Sequence, residues 1–131
     1  MKNKYTPKQT FHWGAGLALL LALTILISGC CTYNPSLYAQ LGKTKTDVAK
    51  AYGSGAAGDV ETARKDVADL VALAEKDKKR CPEPHKQAEN IKGIFDGTDF
   101  ARKGSKINQH KKENIGEAID LAIATQDNLK K

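Results

Sequence analysis

The segment that most limits what this chain can fold into is its most hydrophobic one. Lys2, Lys4 and Lys8 lead into an apolar stretch from Gly14 to Ile27, which closes on Ser28, Gly29 and Cys30. A charged start, an apolar centre and small residues ahead of a cut are the three parts of a secretory signal, which is removed and joins no core. The stretch is shorter than the roughly 20 apolar residues a spanning helix needs. Phe11 and Trp13 would lengthen it, so an uncleaved anchor is the alternative. With residues 1–29 set aside, residues 30–131 remain, about 100 residues, enough for one small domain with one core and not for two.

Ile27-Ser28-Gly29-Cys30 resembles the lipobox of bacterial lipoproteins, in which an aliphatic residue and two small residues precede an obligatory cysteine. The resemblance covers only about the first thirty residues. It implies that the Cys30 thiol carries a diacylglycerol, that the chain is cut before Cys30, and that the freed amine is acylated in turn. Ile27, Ser28 and Gly29 would be the residues the peptidase recognises. Cys31 fits the modified position less well, because Ser28 would then stand where an aliphatic residue is expected. Each buried methylene of an acyl chain contributes about 0.8 kcal/mol, so several chains hold a protein on a membrane almost permanently. In Gram-negative lipoproteins an aspartate after the modified cysteine favours the inner membrane. Cys31 occupies that place here, so for such a source the resemblance implies the periplasmic face of the outer membrane.

The three lysines of the signal account for half of the formal net charge of +6. What remains is mildly positive and interspersed, which suits anionic headgroups or peptidoglycan better than nucleic acid, whose binding needs a clustered basic stripe. Lys76 to Arg80 reads as a solvated helix end. Cys31 and Cys81 are the cysteines left beside Cys30, and export to an oxidising compartment would allow them to pair. Free or intermolecular thiols are the other reading.

Residues 30–35 read as a lipidated tether, and residues 36–131 as a helical domain. Asn34-Pro35 predicts an N-cap followed by proline in the first turn. Leu37, Leu41, Val48 and Tyr52 then recur at helical spacing until the glycine-rich stretch 53–58. Asp59 is the expected cap of a second helix, in which Val60, Ala63, Val67, Leu70, Val71 and Ala74 form one stripe; lysines and Arg80 fill its last turn. Cys81-Pro82-Glu83-Pro84-His85 reads as an extended corner, because proline disfavours helix in the residue before it. A third helix is expected from about Lys86 to Asp96, a poorly defined turn around Phe100 and Ile107, and a terminal helix capped by Asn114 with Glu117 in a capping box. No strand pattern is evident. The expected fold is all-α, three or four antiparallel helices. Alanine at many core positions suggests that a disulfide, the membrane or a partner adds to its stability.

Gly58-Asp59-Val60-Glu61-Thr62-Ala63, with Val67 and Leu70, resembles the second-helix part of a tetratricopeptide repeat, and Gly116-Glu117-Ala118-Ile119 resembles it in part. The resemblance implies a groove for a partner peptide or helix. The matching first-helix residues are missing before Tyr52, and no repeat period emerges.

Cys81, Glu83 and His85, with His110, could be read as metal ligands, yet no matched pair completes a site. Ser36, Ser54 and Ser105 sit in no nucleophile motif. Asp66 with Asp69, and Asp96 with Asp99, read as surface acids of charged helices. No catalytic or metal site and no cofactor beyond the covalent lipid on Cys30 are expected. The sequence thus points to a lipid-anchored, non-catalytic adaptor or accessory subunit of an envelope assembly, with a protein partner there. An envelope-protection factor that blocks conjugation or phage entry, or a helical ligand-binding module, are the alternatives.

Overall fold

A computed structural model describes residues 31–102 and 104–131; Ile27, Ser28, Gly29 and Cys30, with the rest of the signal segment, lie outside the described residues. The described residues form four helices: α1 (Pro35–Ser54), α2 (Ala57–Lys76), α3 (Pro82–Asp96) and α4 (Lys106–Leu129).

Their ends are set by local chemistry. Asn34 caps α1, its side chain accepting from the Leu37 amide at 3.1 Å, with Pro35 at the first helical position where no amide is needed. Gly53 and Gly58 are both helical, and the chain reverses through Gly55 and Ala56 alone. Gly55 makes that reversal, holding φ 60° and donating its amide to the Ala51 carbonyl at 2.8 Å. Ser105 caps α4 through the Asn108 amide at 3.2 Å, and the Asn108 side chain donates back to the carbonyls of Asp99 and Arg102, tying down the preceding connection.

Four expectations about helix ends are corrected. Helix α2 starts two residues before Asp59, which lies in the first turn, taking the Ser54 hydroxyl at 2.5 Å and Lys50 at 3.1 Å. It stops at Lys76, so Lys78, Lys79 and Arg80 belong to the turn after it. Pro82 and Pro84 open α3 instead of extending the corner: first-turn amides have no intrahelical acceptor, so proline forfeits no hydrogen bond there. Asn114 and Glu117 lie inside α4, since Ser105 supplies an earlier cap and nothing between 106 and 114 breaks the helix.

The helices pack antiparallel as a closed ring. Each packs along its neighbours in sequence and α4 closes on α1, while the diagonal pairs lack close backbone approach and α1 reaches α3 only through side chains such as Tyr52 on Phe95. Residues 32–131 form one compact unit. Its centre joins Leu37, Leu41 and Val48 of α1 to Val67 and Leu70 of α2, Ile91 and Phe95 of α3, and Ile115 and Ile119 of α4. Ala51, Ala63, Ala74, Ala88 and Ala122 fill the places between them, where small side chains let ridges settle into grooves. No described helix is long and apolar enough to cross a membrane.

Candidate functional site

The antiparallel order gathers the start of α1, the end of α2, the start of α3 and the end of α4 at one end. Cys31 and Cys81 are joined there as a disulfide. Three residues beyond Cys31, the Asn34 amide donates to Gln126 Oε1 at 3.0 Å, and the Asn34 side chain donates to Asp77 Oδ2 at 3.2 Å. Gln126 is 1% exposed, a buried amide that ties the end of α4 to the start of α1. Sequence periodicity alone could have found it, because it falls one turn after Ala122 on the buried stripe of α4, but its polar side chain argues for the surface.

Beside this clasp, Tyr33 and Tyr38 meet edge to face with centroids 5.8 Å apart. Lys130 Nζ lies 3.6 Å from the Tyr38 centroid and 5.0 Å from that of Tyr33, a cation over two rings. The same ammonium meets Asp127 at 3.0 Å, which holds that carboxyl below its ordinary range and raises the lysine.

The residues considered as metal ligands are drawn apart. The Cys81 sulfur is committed to Cys31, and His85, largely buried, turns its Nε2 to Glu75 at 2.5 Å with Glu89 at 3.6 Å. His110 is exposed near the start of α4 beside Glu113. Among the described residues no three His, Cys, Asp or Glu side chains converge. Ser54 donates to Asp59 and Ser105 caps α4, so both hydroxyls serve local structure.

Asp66 departs from the surface role expected of it. It is 1% exposed on α2, and Lys43 of α1 reaches its Oδ1 at 2.6 Å. Its Oδ2 has no donor, and the neighbouring carboxyl is that of Asp47, one turn beyond Lys43 on α1. Burial pushes the Asp66 carboxyl upward, but its neighbours Asp47 and Lys43 outweigh that and leave it below its ordinary value. Asp47 is held above its own, mainly by its interaction with the facing Asp66 carboxyl. Position 66 lies between Ala63 and Leu70 on the inward arc of α2, so its burial is consistent with the helical period even though its charge is not.

A raised carboxyl such as that of Asp47 favours folding below its unfolded value and loses that benefit as pH rises through the folded one, where two like charges face each other. Asp47→Asn supplies an uncharged donor at every pH. Its expected effect at pH 7 is a rise in Tm of a few degrees at most, because it removes a like charge from beside Asp66 and solvent screens the rest. Thermal unfolding followed at pH 7 and at pH 3 checks this, because the gain should vanish in acid, where the native Asp47 is itself protonated.

At the opposite end, Tyr52, Phe95 and Phe100 form an aromatic cluster. Phe100 stands 5.0 Å from each of the other two ring centroids, and the Tyr52 hydroxyl meets Thr98 at 2.6 Å. Burial raises the Tyr52 phenol, and the bond to Thr98 opposes it. A surface cleft of about 310 Å³ opens here between Tyr52, Phe100, Gln109 and Lys112. The two crevices that reach in between the helices hold about 10 Å³ each, room for one water.

Helix α3 packs along α2 and α4 along α1, so each helix of the α1–α2 hairpin has a further neighbour. No protein-family model matches this chain, and neither the curated proteins nor the solved structures contain a significant match to it.

Proposed function

We propose that the chain is a lipid-anchored, non-catalytic adaptor of the cell envelope, held on a membrane through Cys30 and offering its helical surface to a protein partner there. The observation that carries this reading is the pattern Ile27-Ser28-Gly29-Cys30 at the end of a charged and apolar leader. The Cys31–Cys81 disulfide adds weak support, because such bonds persist outside the reducing cytoplasm. Two crevices between the helices, lined by described residues, admit about one water each, which favours tethering over a ligand site at those two places. Anchoring raises the local concentration of a binding face for partners on the same membrane, which makes a weak contact usable.

Two measurements test the proposal. Cys30→Ser should leave unprocessed precursor and abolish incorporation of a fatty-acid probe; labelling that persists would refute the anchor. Detergent extraction and pull-down of the native protein should return a membrane partner in stoichiometric amount, and recovery of the chain alone would refute the adaptor role.

A further inference from the structure

The two ends of the bundle are not equivalent relative to Cys30. Cys31 is bonded through sulfur to Cys81, at the turn between α2 and α3. Successive Cα atoms lie about 3.8 Å apart and bridged cysteines about 5.5 Å apart, so a lipid on residue 30 leaves the chain within about 10 Å of that turn. The tether between anchor and bundle therefore has almost no slack.

The surface around this point has the composition of a membrane interface. Lys76, at the end of α2, and Lys78, Lys79 and Arg80, on the turn after it, are exposed, and Lys130 and Lys131 follow the end of α4. The carboxylates among them are Glu75, Asp77, Glu83 and Asp127, of which Glu75 faces His85 and Lys78, Asp77 takes Asn34, and Asp127 takes Lys130. Cations thus exceed carboxylates at this end. Tyr33 and Tyr38, half-buried beside them, are the amphipathic ring type that settles at headgroup depth. The far end is basic as well, through Arg102, Lys106, Lys111 and Lys112, so charge alone selects neither. The short covalent path selects one.

We propose that the end bearing Cys31, Tyr33, Tyr38 and the Lys76–Arg80 turn is a docking surface for an anionic lipid leaflet, on which the bundle stands with the Tyr52–Phe100 cleft facing away. The inference rests on the lipid anchor proposed above and adds to it an orientation and a headgroup preference. Basic residues close to an anionic leaflet are attracted within a Debye length, and with the anchor already fixed this attraction sets tilt.

Tryptophan makes the test direct, because the chain's one tryptophan, Trp13, lies in the signal and is lost on processing. The full chain is expressed, purified from membranes and reconstituted in vesicles of brominated phosphatidylglycerol and phosphatidylcholine, carrying either Tyr33→Trp or Ile107→Trp. Ile107 lies in the first turn of α4 at the far end and is exposed, so its replacement spares the core. The Tyr33→Trp emission should be quenched at least threefold more than that of Ile107→Trp. Lys76→Glu with Lys79→Glu and Lys131→Glu should reduce the difference in phosphatidylglycerol vesicles and leave it unchanged in pure phosphatidylcholine. Equal quenching of the two reporters in protein that floats with the vesicles would overturn the orientation while leaving the anchor intact. Protein that fails to float would overturn both.

Discussion

Phe95→Ala should destabilise the bundle by about 3–5 kcal/mol, a large share of the roughly 5–15 kcal/mol that holds an ordinary domain together. Phe95 is 1% exposed and is the largest fully buried side chain among the described residues. Its ring meets Tyr52 edge to face at 6.4 Å and Phe100 at 5.0 Å, so truncation removes the buried member of the aromatic cluster and leaves the other two rings packed only on each other. Alanine already fills five positions in the core, which leaves few long side chains able to move into the space. Urea unfolding followed by far-UV circular dichroism should show the midpoint fall with little change in slope. Phe95→Leu should recover much of the loss, whereas Ile107→Ser, on the exposed side of α4, should change stability by less than about 0.5 kcal/mol.

The second large effect is expected from the disulfide. Cys31→Ser combined with Cys81→Ser opens a loop of about 50 residues that contains α1 and α2, and cross-links of that length contribute about 2–4 kcal/mol, chiefly by restricting the unfolded chain. The double substitution should therefore lower Tm by roughly 10–25 °C. Much of the folded geometry should survive it, because Asn34 is also held by Gln126 and Asp77. Scanning calorimetry of the native protein with and without a reductant gives the same comparison without mutation. A Tm that does not respond to reductant would show that the bond carries no stability.

The inward stripes of the helices are legible in the sequence because 3.6-residue periodicity is a local signal. Leu37, Leu41 and Val48, Val67 and Leu70, and Ile115 and Ile119 recur at that period, and each is buried. Helix ends are less legible where one residue type supports two readings. A proline that ends one helix and a proline that begins the next look alike in sequence: Pro82 and Pro84 suit a stop for α2 and in the fold start α3. Asn114 and Glu117 satisfy a capping pattern inside α4 because Ser105, nine residues earlier, already supplies the cap. The polar members of the core are hidden for another reason. Asp66, Gln126 and Thr44 are buried through partners on other elements, Lys43, Asn34 and the Asp66 carbonyl respectively, and such pairing leaves no mark in the order of residues. The lipidation proposed at Cys30, by contrast, rests entirely on local sequence.

An even number of antiparallel helices brings a chain back to where it set out, and here Lys130 lies over Tyr33, two residues from the bridged Cys31. A reporter protein fused after Lys131 would thus sit at the Cys31 end of the bundle, the end proposed above to face the lipid leaflet. The two-residue reversal at Gly55 and Ala56 is the better insertion point. It stands the length of a 20-residue helix away, about 30 Å, and an insert there would project from the opposite end of the bundle.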